Sequence, residues 1–148
     1  MSNGTAYSDE EVHLLAHGPL IVMMATTTAD GITPLGLLRE SAAVAGFMSD
    51  AQNKYTDNLL VLLVIDRQNA IDKALLEDRS YADLVAMVDD LSAMLQDDQD
   101  TLGYKQFLLD VADKTANAAG GGAFGSGVKV SPQEAEFIAY LKQRLGIA

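Results

Sequence analysis

Two histidines are the first candidates for chemistry in this sequence. His13 and His17 lie four residues apart in a helical pattern, and Glu10 precedes them by one turn. Side chains at positions i and i+4 share one face of a helix, and this spacing can hold a transition metal. Residue 14 is leucine, so the H-E-x-x-H pattern of zinc peptidases is absent, and no third ligand is evident. The interpretation we favour over a metal site is a half-exposed helix face.

A glycine-rich stretch spells the dinucleotide-binding pattern G-x-G-x-x-G at Gly120, Gly122 and Gly125. That fingerprint must follow a strand and open a helix at once, whereas here it follows a predicted helix. The next helix begins several residues later, and the Gly-Lys-Ser/Thr of a P-loop is missing. We therefore predict no cofactor and interpret residues 120–130 as a glycine-rich connector.

The acidic run Asp97–Asp100 suggests a calcium site, but the spacing of its residues does not match a calcium-binding EF-hand loop. Counting an EF-hand loop from Asp98 places Leu102 and Leu109 at ligand positions that need oxygen donors. The simpler interpretation is a solvated turn whose carboxylates cap the following helix. No nucleophile lies beside a base in a recognisable motif either. We expect a protein that is not an enzyme.

Composition excludes several classes of protein. The chain has 148 residues, no cysteine, a formal net charge of −11 and a pI near 4.3. Without cysteine there is no disulfide framework, thiolate zinc site or thiol catalysis. Residues 72–113 contain eleven acidic and three basic residues. Such a field repels nucleic acid and anionic lipid, and favours basic partners or cations.

Targeting features are absent from the pattern. The first eleven residues are polar and acidic, without the basic and apolar regions of a signal peptide. The longest uninterrupted apolar run, Leu59–Ile65, is far too short to span a membrane. We expect a cytoplasmic protein with no membrane span and no nucleic-acid partner. A nucleic-acid mimic built on Asp83, Asp90 and Asp97 is a further, minor hypothesis.

Helical signatures dominate the chain and predict an all-α fold. Ser8 with Glu11 and Ser131 with Glu134 form capping boxes before apolar stripes, and Ser80 with Asp83 opens the clearest helix. After an interruption at Gly18-Pro19, residues 20–25 are almost wholly apolar, which predicts a central helix covered on most sides. A helix with inward Tyr104 and Phe107 runs to the glycines at 120, and another follows Ser131-Pro132 to Gly146. The count is about seven helices in one domain, residues 1–148, with residues 1–7 as a flexible N-terminus.

Three assignments are less direct. A helix begins after Thr33-Pro34 and is predicted to end near Gly46, so residues 47–57 are interpreted as a connection. Asp57 is the candidate cap of the next element. The apolar run Leu59–Ile65 suits a buried strand or a buried helix, and its helical neighbourhood favours a helix.

One short pattern occurs twice. Asp30-Gly31-Ile32-Thr33-Pro34 is similar to Gly127-Val128-Lys129-Val130-Ser131-Pro132. Each combines a turn, a β-branched residue, a hydroxyl cap and a proline at the first helical position. The repetition indicates two loosely related halves, or chance reuse of the same capping chemistry.

These turns resemble a known family. Ala29-Asp30-Gly31-Ile32-Thr33-Pro34 and the ending from Ala119 through Ser131-Pro132-Gln133-Glu134 to Gly146 resemble the tellurite-resistance TerB-like proteins. The resemblance implies a helical bundle of two related halves and a stress-linked, non-enzymatic role. It also implies acidic residues that hold a cation, of which Asp30 and Glu134 are present here, while Gly36 and Gly127 stand at the other two acidic positions.

Two functions follow as hypotheses. The first is a TerB-like protein-interaction module, binding a partner or a second copy of itself as a dimer. The second is a divalent-cation-binding protein that uses Asp30, Glu134 and the central aspartates.

Overall fold

The helices of this chain assemble around α2. The computed structural model describes residues 4–29, 41–71, 79–120 and 132–147, and all helices named below lie within them. They are α1 (Asp9–Ala16), α2 (Gly18–Ala29), α3 (Ser41–Lys54), α4 (Leu59–Asp66), a short 3₁₀ helix (Arg67–Ala70), α5 (Tyr81–Met94), α6 (Gln99–Gly120) and α7 (Pro132–Leu145).

The prediction of an all-α fold is confirmed for the described residues, which contain helices and no strand. The predicted total of about seven helices stays a prediction for the chain as a whole, because α1 and α2 are separated only by His17 and parts of the chain lie outside the description. The run Leu59–Ile65 is helical, as its surroundings indicated.

The central helix is confirmed. Residues 18–27 of α2 are all buried, because the helix packs against α1, α5, α6 and α7. Its last turns contain Thr26, Thr27 and Thr28, whose hydroxyls donate to the carbonyls four residues earlier at 2.7–2.9 Å. These bonds let polar side chains enter an apolar interior without losing a partner.

Burial also accounts for the membrane-like composition of this region. Asp9–Ala29 is the one helical stretch in the described part of the chain long and apolar enough to cross a membrane, and 78% of its most apolar part is buried in the fold. Burial of this extent is what the core helix of a bundle shows. It agrees with the prediction of no membrane span.

Helix starts follow the predicted capping chemistry. The predicted capping box of Ser8 with Glu11 is present, and Ser80 with Asp83, predicted as a helix start, forms a second one. The predicted cap at Asp57 is wrong by one residue, since the Oδ1 atom of Asn58 accepts from the backbone N–H of Val61 at 3.0 Å. Ser131, the predicted cap of α7, lies outside the described residues.

The predicted connection over residues 47–57 is wrong for residues 47–54, which are helical, and confirmed for residues 55–57. Helix α3 continues past Gly46 to Lys54. Met48, Ala51 and Tyr55 are buried on one side at helical spacing, and the polar residues between them face solvent. Gly46 is exposed and has open space around it, so it interrupts neither packing nor the helix.

The two ends of the described chain are held differently from each other. The Tyr7 hydroxyl, within the segment predicted to be flexible, lies 2.6 Å from Thr101 Oγ1 and accepts from the Gln96 backbone N–H at 2.8 Å. At the other end Gly146 adopts a positive φ of 72°, and Ile147 donates back to Lys142, which closes α7 with a Schellman motif. Gly146 ends the helix as predicted.

Candidate functional site

Of the two turn acids predicted to bind a cation, the described residues contain only Glu134. Glu134 lies in the first turn of α7 and its side chain is fully buried. Asp30 lies outside the described residues, as do the glycines at 122 and 125 and the repeated turns except Pro132. Within the described ranges no three histidine, aspartate or glutamate side chains are grouped as metal ligands.

The two histidines form part of the junction between α1 and α2. The His17 backbone N–H turns to the Leu14 carbonyl, and its Nδ1 lies 2.9 Å from the His13 carbonyl oxygen. A carbonyl can only accept, so Nδ1 is the donor. The rings meet edge to face with centroids 5.1 Å apart, and His17 is buried rather than half-exposed. His17 therefore closes a helix end instead of presenting Nδ1 to a metal.

Tyr104 completes the same junction. The Leu15 carbonyl would normally accept from residue 19, but that residue is proline and has no N–H. The Tyr104 hydroxyl takes this place and donates to the Leu15 carbonyl at 2.6 Å. The phenol lies against Gly18, where a Cβ would meet the hydroxyl. Burial raises the pKa of Tyr104 well above its ordinary value, which keeps the proton on this donor.

Gln68 ties the 3₁₀ helix to this junction. Its Nε2 donates to the carbonyls of Ala16 and Val64 at 2.9 and 2.8 Å. Three side chains from three segments thus satisfy carbonyls at the end of α1. These hydrogen bonds hold the break at Gly18-Pro19, and the break sets where Leu14 and Ile21 lie relative to α5.

An apolar groove opens beside this junction, between α1–α2 and α5. Leu14, His17 and Ile21 form one wall, and Met87, Leu91 and Met94 form the other, with Asp90 at the edge. The groove encloses about 380 Å³. Leu14 is 54% exposed, unlike the buried Leu15 beside it. We call this surface the α1–α5 groove.

Acids border the α1–α5 groove. Beyond Leu14 a shallower depression is lined by Asp9, Glu10 and His13, so Leu14 belongs to both. Asp90 lies on the α5 side and is exposed. Among the described residues, neither the groove nor the depression has a lysine or arginine in its lining. Arg67 approaches this border only through a 3.9 Å ion pair with Asp9.

The acidic turn before α6 has the capping role that its sequence indicated. Asp98 Oδ1 accepts from the backbone N–H of Thr101 at 2.8 Å. Asp83, Asp90 and Asp97, which recur every seven residues, are exposed. The Asp83 carboxylate accepts from the Ser80 backbone N–H in the capping box, and Asp90 alone of the three lines the α1–α5 groove.

Charged side chains on the far side of α6 are paired with α3. Lys54 contacts Asp110 at 2.8 Å and Lys114 contacts Asp50 at 2.9 Å. The Tyr55 hydroxyl donates to the same Asp110 carboxylate at 2.7 Å, and burial together with this bond raises the pKa of Tyr55. On this surface Asp50 and Asp110 are each paired with a lysine, whereas the described lining of the α1–α5 groove contains no basic residue.

The groove was not predicted from the sequence. Its signal was present on α5, where acids and methionines alternate at helical spacing, but the α1 wall required knowledge of which helices are neighbours. No family model, curated protein or solved structure matches the chain. The functional conclusion therefore depends on the residues and their geometry.

Proposed function

We propose that this chain is a non-enzymatic interaction module that binds a segment of another protein in the α1–α5 groove. The observation behind the proposal is Leu14, a large apolar side chain that is 54% exposed at the edge of a groove with leucine, isoleucine and methionine walls. Apolar clefts with a few polar groups at the edge are the usual form of binding sites in proteins.

The methionines support a peptide as the ligand. Met87 and Met94 are half-buried in the groove wall. Methionine is unbranched and polarizable, so it can repack around different apolar side chains, and it is common on surfaces that bind peptides. A groove with this lining suits an apolar segment of a partner better than a small polar substrate.

Selection from an unbiased peptide library tests the proposal. The full chain, a Leu14→Gln variant and a Leu102→Gln control are immobilised side by side. Leu102 is a matched control because it is 45% exposed and does not line the groove. We expect enriched peptides to bind the parent chain and the control equally, and to bind Leu14→Gln about tenfold more weakly, the usual effect of losing one central apolar anchor.

Two results would contradict the proposal. One is a library that yields no peptide with affinity above background. The other is a set of peptides whose binding is unchanged by Leu14→Gln, since these would occupy another surface. Circular dichroism of each variant shows whether the substitution has altered the helical content.

The cellular setting is proposed on the resemblance to TerB-like proteins. It suggests a cytoplasmic role in a stress response related to tellurite resistance. Expression of the chain in a tellurite-sensitive bacterium should raise its tolerance, and the Leu14→Gln variant should lose this effect if the groove mediates it. Unchanged tolerance with the parent chain would remove the tellurite connection while leaving the groove untouched.

Cation binding is the second proposal, and it rests on the resemblance to TerB-like proteins, which implies a cation held by acidic residues at the helix-start turns, here Asp30 and Glu134. Carboxylate oxygens are the ligands that hard divalent cations prefer. Titration calorimetry with Ca²⁺, Zn²⁺ and Mn²⁺ should then show saturable heat that Glu134→Gln abolishes. Heat confined to nonspecific millimolar binding would reject it.

A further inference from the structure

The α1–α5 groove points to one class of partner. We propose that its occupant is a basic amphipathic helix, with apolar residues facing the groove and lysine or arginine residues along both edges. This inference rests on the proposed interaction function and adds the secondary structure and charge of the ligand.

The α5 wall has a regular pattern that matches such a helix. Met87, Asp90 and Met94, which line the groove, follow one another at i, i+3 and i+7, and Asp83 precedes Met87 by four residues outside the lining. Residues at this spacing form one stripe on a helix. Both aspartates are exposed and both methionines are half-buried, so acid and apolar side chains alternate along the stripe. An amphipathic helix presents the complementary arrangement.

The length of the groove also fits a helix. The α1–α2 wall runs from Leu14 to Ile21 and the α5 wall runs from Met87 to Met94. The α5 wall covers two continuous helical turns, or about 10 Å at 1.5 Å per residue, and the α1–α2 wall, which the break at residue 17 interrupts, forms the other side. A partner helix can place apolar residues at i, i+4 and i+7 over this distance, which is the anchor spacing of helices bound in grooves.

Charge selects a basic occupant. Glu10 borders the groove through its shared depression, and Asp90 borders it on the opposite wall. The whole chain has a formal net charge of −11, so the long-range field has the same sign as the border. Complementary charge at an interface accelerates association and rejects partners of the wrong sign.

The same charges disfavour the other occupants. A second copy of this chain would bring two acidic borders and two chains of net charge −11 together. Like charges placed opposite each other at an interface are destabilising. An anionic lipid surface is repelled for the same reason.

The test uses three synthetic peptides of about 16 residues and the full chain. The first has leucine at the i, i+4 and i+7 anchor positions and lysine along both flanks. The second replaces each lysine with glutamate. The third keeps the composition of the first but scrambles its order, so that no apolar stripe remains. Fluorescence anisotropy measures binding, and circular dichroism reports helix formation in the bound peptide.

We expect the basic amphipathic peptide to bind and to become helical, and the acidic and scrambled peptides to bind at least tenfold more weakly, a discrimination consistent with opposed charge at an interface. Raising the salt concentration should weaken binding of the basic peptide, because dissolved ions screen its attraction to the acidic side chains that border the groove. Leu14→Gln should weaken binding about tenfold.

A charge reversal with a matched control identifies the groove. Asp90→Lys should weaken binding of the basic peptide and strengthen binding of the acidic one. Asp57→Lys changes the net charge equally, at an exposed position outside the groove, and should leave this preference between the peptides unchanged. Equal effects of the two reversals would mean that only the overall charge matters, and would overturn the assignment to this groove.

Other outcomes separate the inference from the proposed function. If library peptides bind at Leu14 but are neutral, acidic or extended, the interaction function stands and the basic helix is wrong. If the basic peptide binds equally well to Leu14→Gln, both fail. A concentration-dependent dimer in sedimentation analysis that Leu14→Gln abolishes would make a second copy the occupant and overturn the inference.

Discussion

Where α1 ends, the side chains of His17 and Tyr104 donate hydrogen bonds to carbonyls that lack their usual backbone N–H donors. Pro19 removes the N–H that Leu15 needs, and the Tyr104 hydroxyl supplies the missing donor from another helix. The His17 ring does the same for His13. A histidine pair that suggested a metal site is better explained by this local need, because buried carbonyls require a donor.

The fit of Gly18 against Tyr104 gives the first prediction. A Cβ at residue 18 would meet the Tyr104 hydroxyl and Leu91, so Gly18→Ala should displace the phenol. We expect a loss of about 2–4 kcal/mol, from overpacking and a weakened buried hydrogen bond. Tyr104→Phe should cost about 1–3 kcal/mol through the unsatisfied Leu15 carbonyl. Urea unfolding measures both.

A double-mutant cycle shows whether the two losses share one cause. The phenyl ring of Tyr104→Phe leaves more room for the new methyl group. The double variant should therefore lose less free energy of unfolding than the two single variants together. Gly46→Ala is the control, because Gly46 is exposed in a helix with open space around it. It should stabilise by about 0.5–1 kcal/mol, the usual difference in helix propensity. Strict additivity would contradict the proposed contact.

At the scale of elements, the cap of α4 depends on a contact between helices. Asn58 Oδ1 accepts from Val61, and its Nδ2 donates to the Asp100 carbonyl at 3.0 Å. Gly103 leaves the space that this amide occupies. One side chain therefore both starts α4 and joins it to the first turn of α6. No such second bond was visible in the pattern that suggested Asp57.

The second prediction compares these neighbours. Asn58→Ala should cost about 1–2 kcal/mol, because it removes the cap and the bond to α6. Asp57→Ala, at an exposed position, should change stability by less than about 0.5 kcal/mol. Denaturant unfolding of both variants decides between them. A larger loss for Asp57→Ala would restore the original assignment of the cap.

The elements also show what the sequence could predict. Helices α1, α5 and α6 were predictable because a cap or turn precedes a clear apolar stripe. The second half of α3 was not, since Met48, Ala51 and Tyr55 are separated by polar residues and follow a glycine. The α1–α5 groove depends on which helices are neighbours, and local periodicity contains no information about that.

At the scale of the whole molecule, phenols join helices distant in sequence. Tyr55 donates from the end of α3 to Asp110 on α6, and Tyr104 donates from α6 to α1. Tyr140 on α7 donates to Asp89 on α5, which Arg144 also contacts at 2.8 Å. Each bond requires the protonated phenol as donor. We therefore expect the packing of the bundle to be sensitive to alkaline pH.

The last prediction concerns this sensitivity. Burial raises the pKa of Tyr104, burial and the Asp110 bond raise that of Tyr55, and the Asp89 bond raises that of Tyr140. In the unfolded chain the tyrosine phenols lose their protons at about pH 10. The folded state, in which their pKa values are higher, is therefore favoured while these phenols keep their protons. That contribution is complete below pH 10 and is lost as the pH rises further.

Stability should thus fall steadily above about pH 10, where the unfolded chain binds fewer protons than the folded one. Denaturant unfolding at several pH values measures the fall, and tyrosinate absorbance reports ionisation in the same samples. The Tyr55→Phe variant should show a shallower fall, because one coupled phenol is gone. If all the tyrosines ionised near pH 10 while the helical circular dichroism stayed intact, these phenols could not be protonated donors that join the helices.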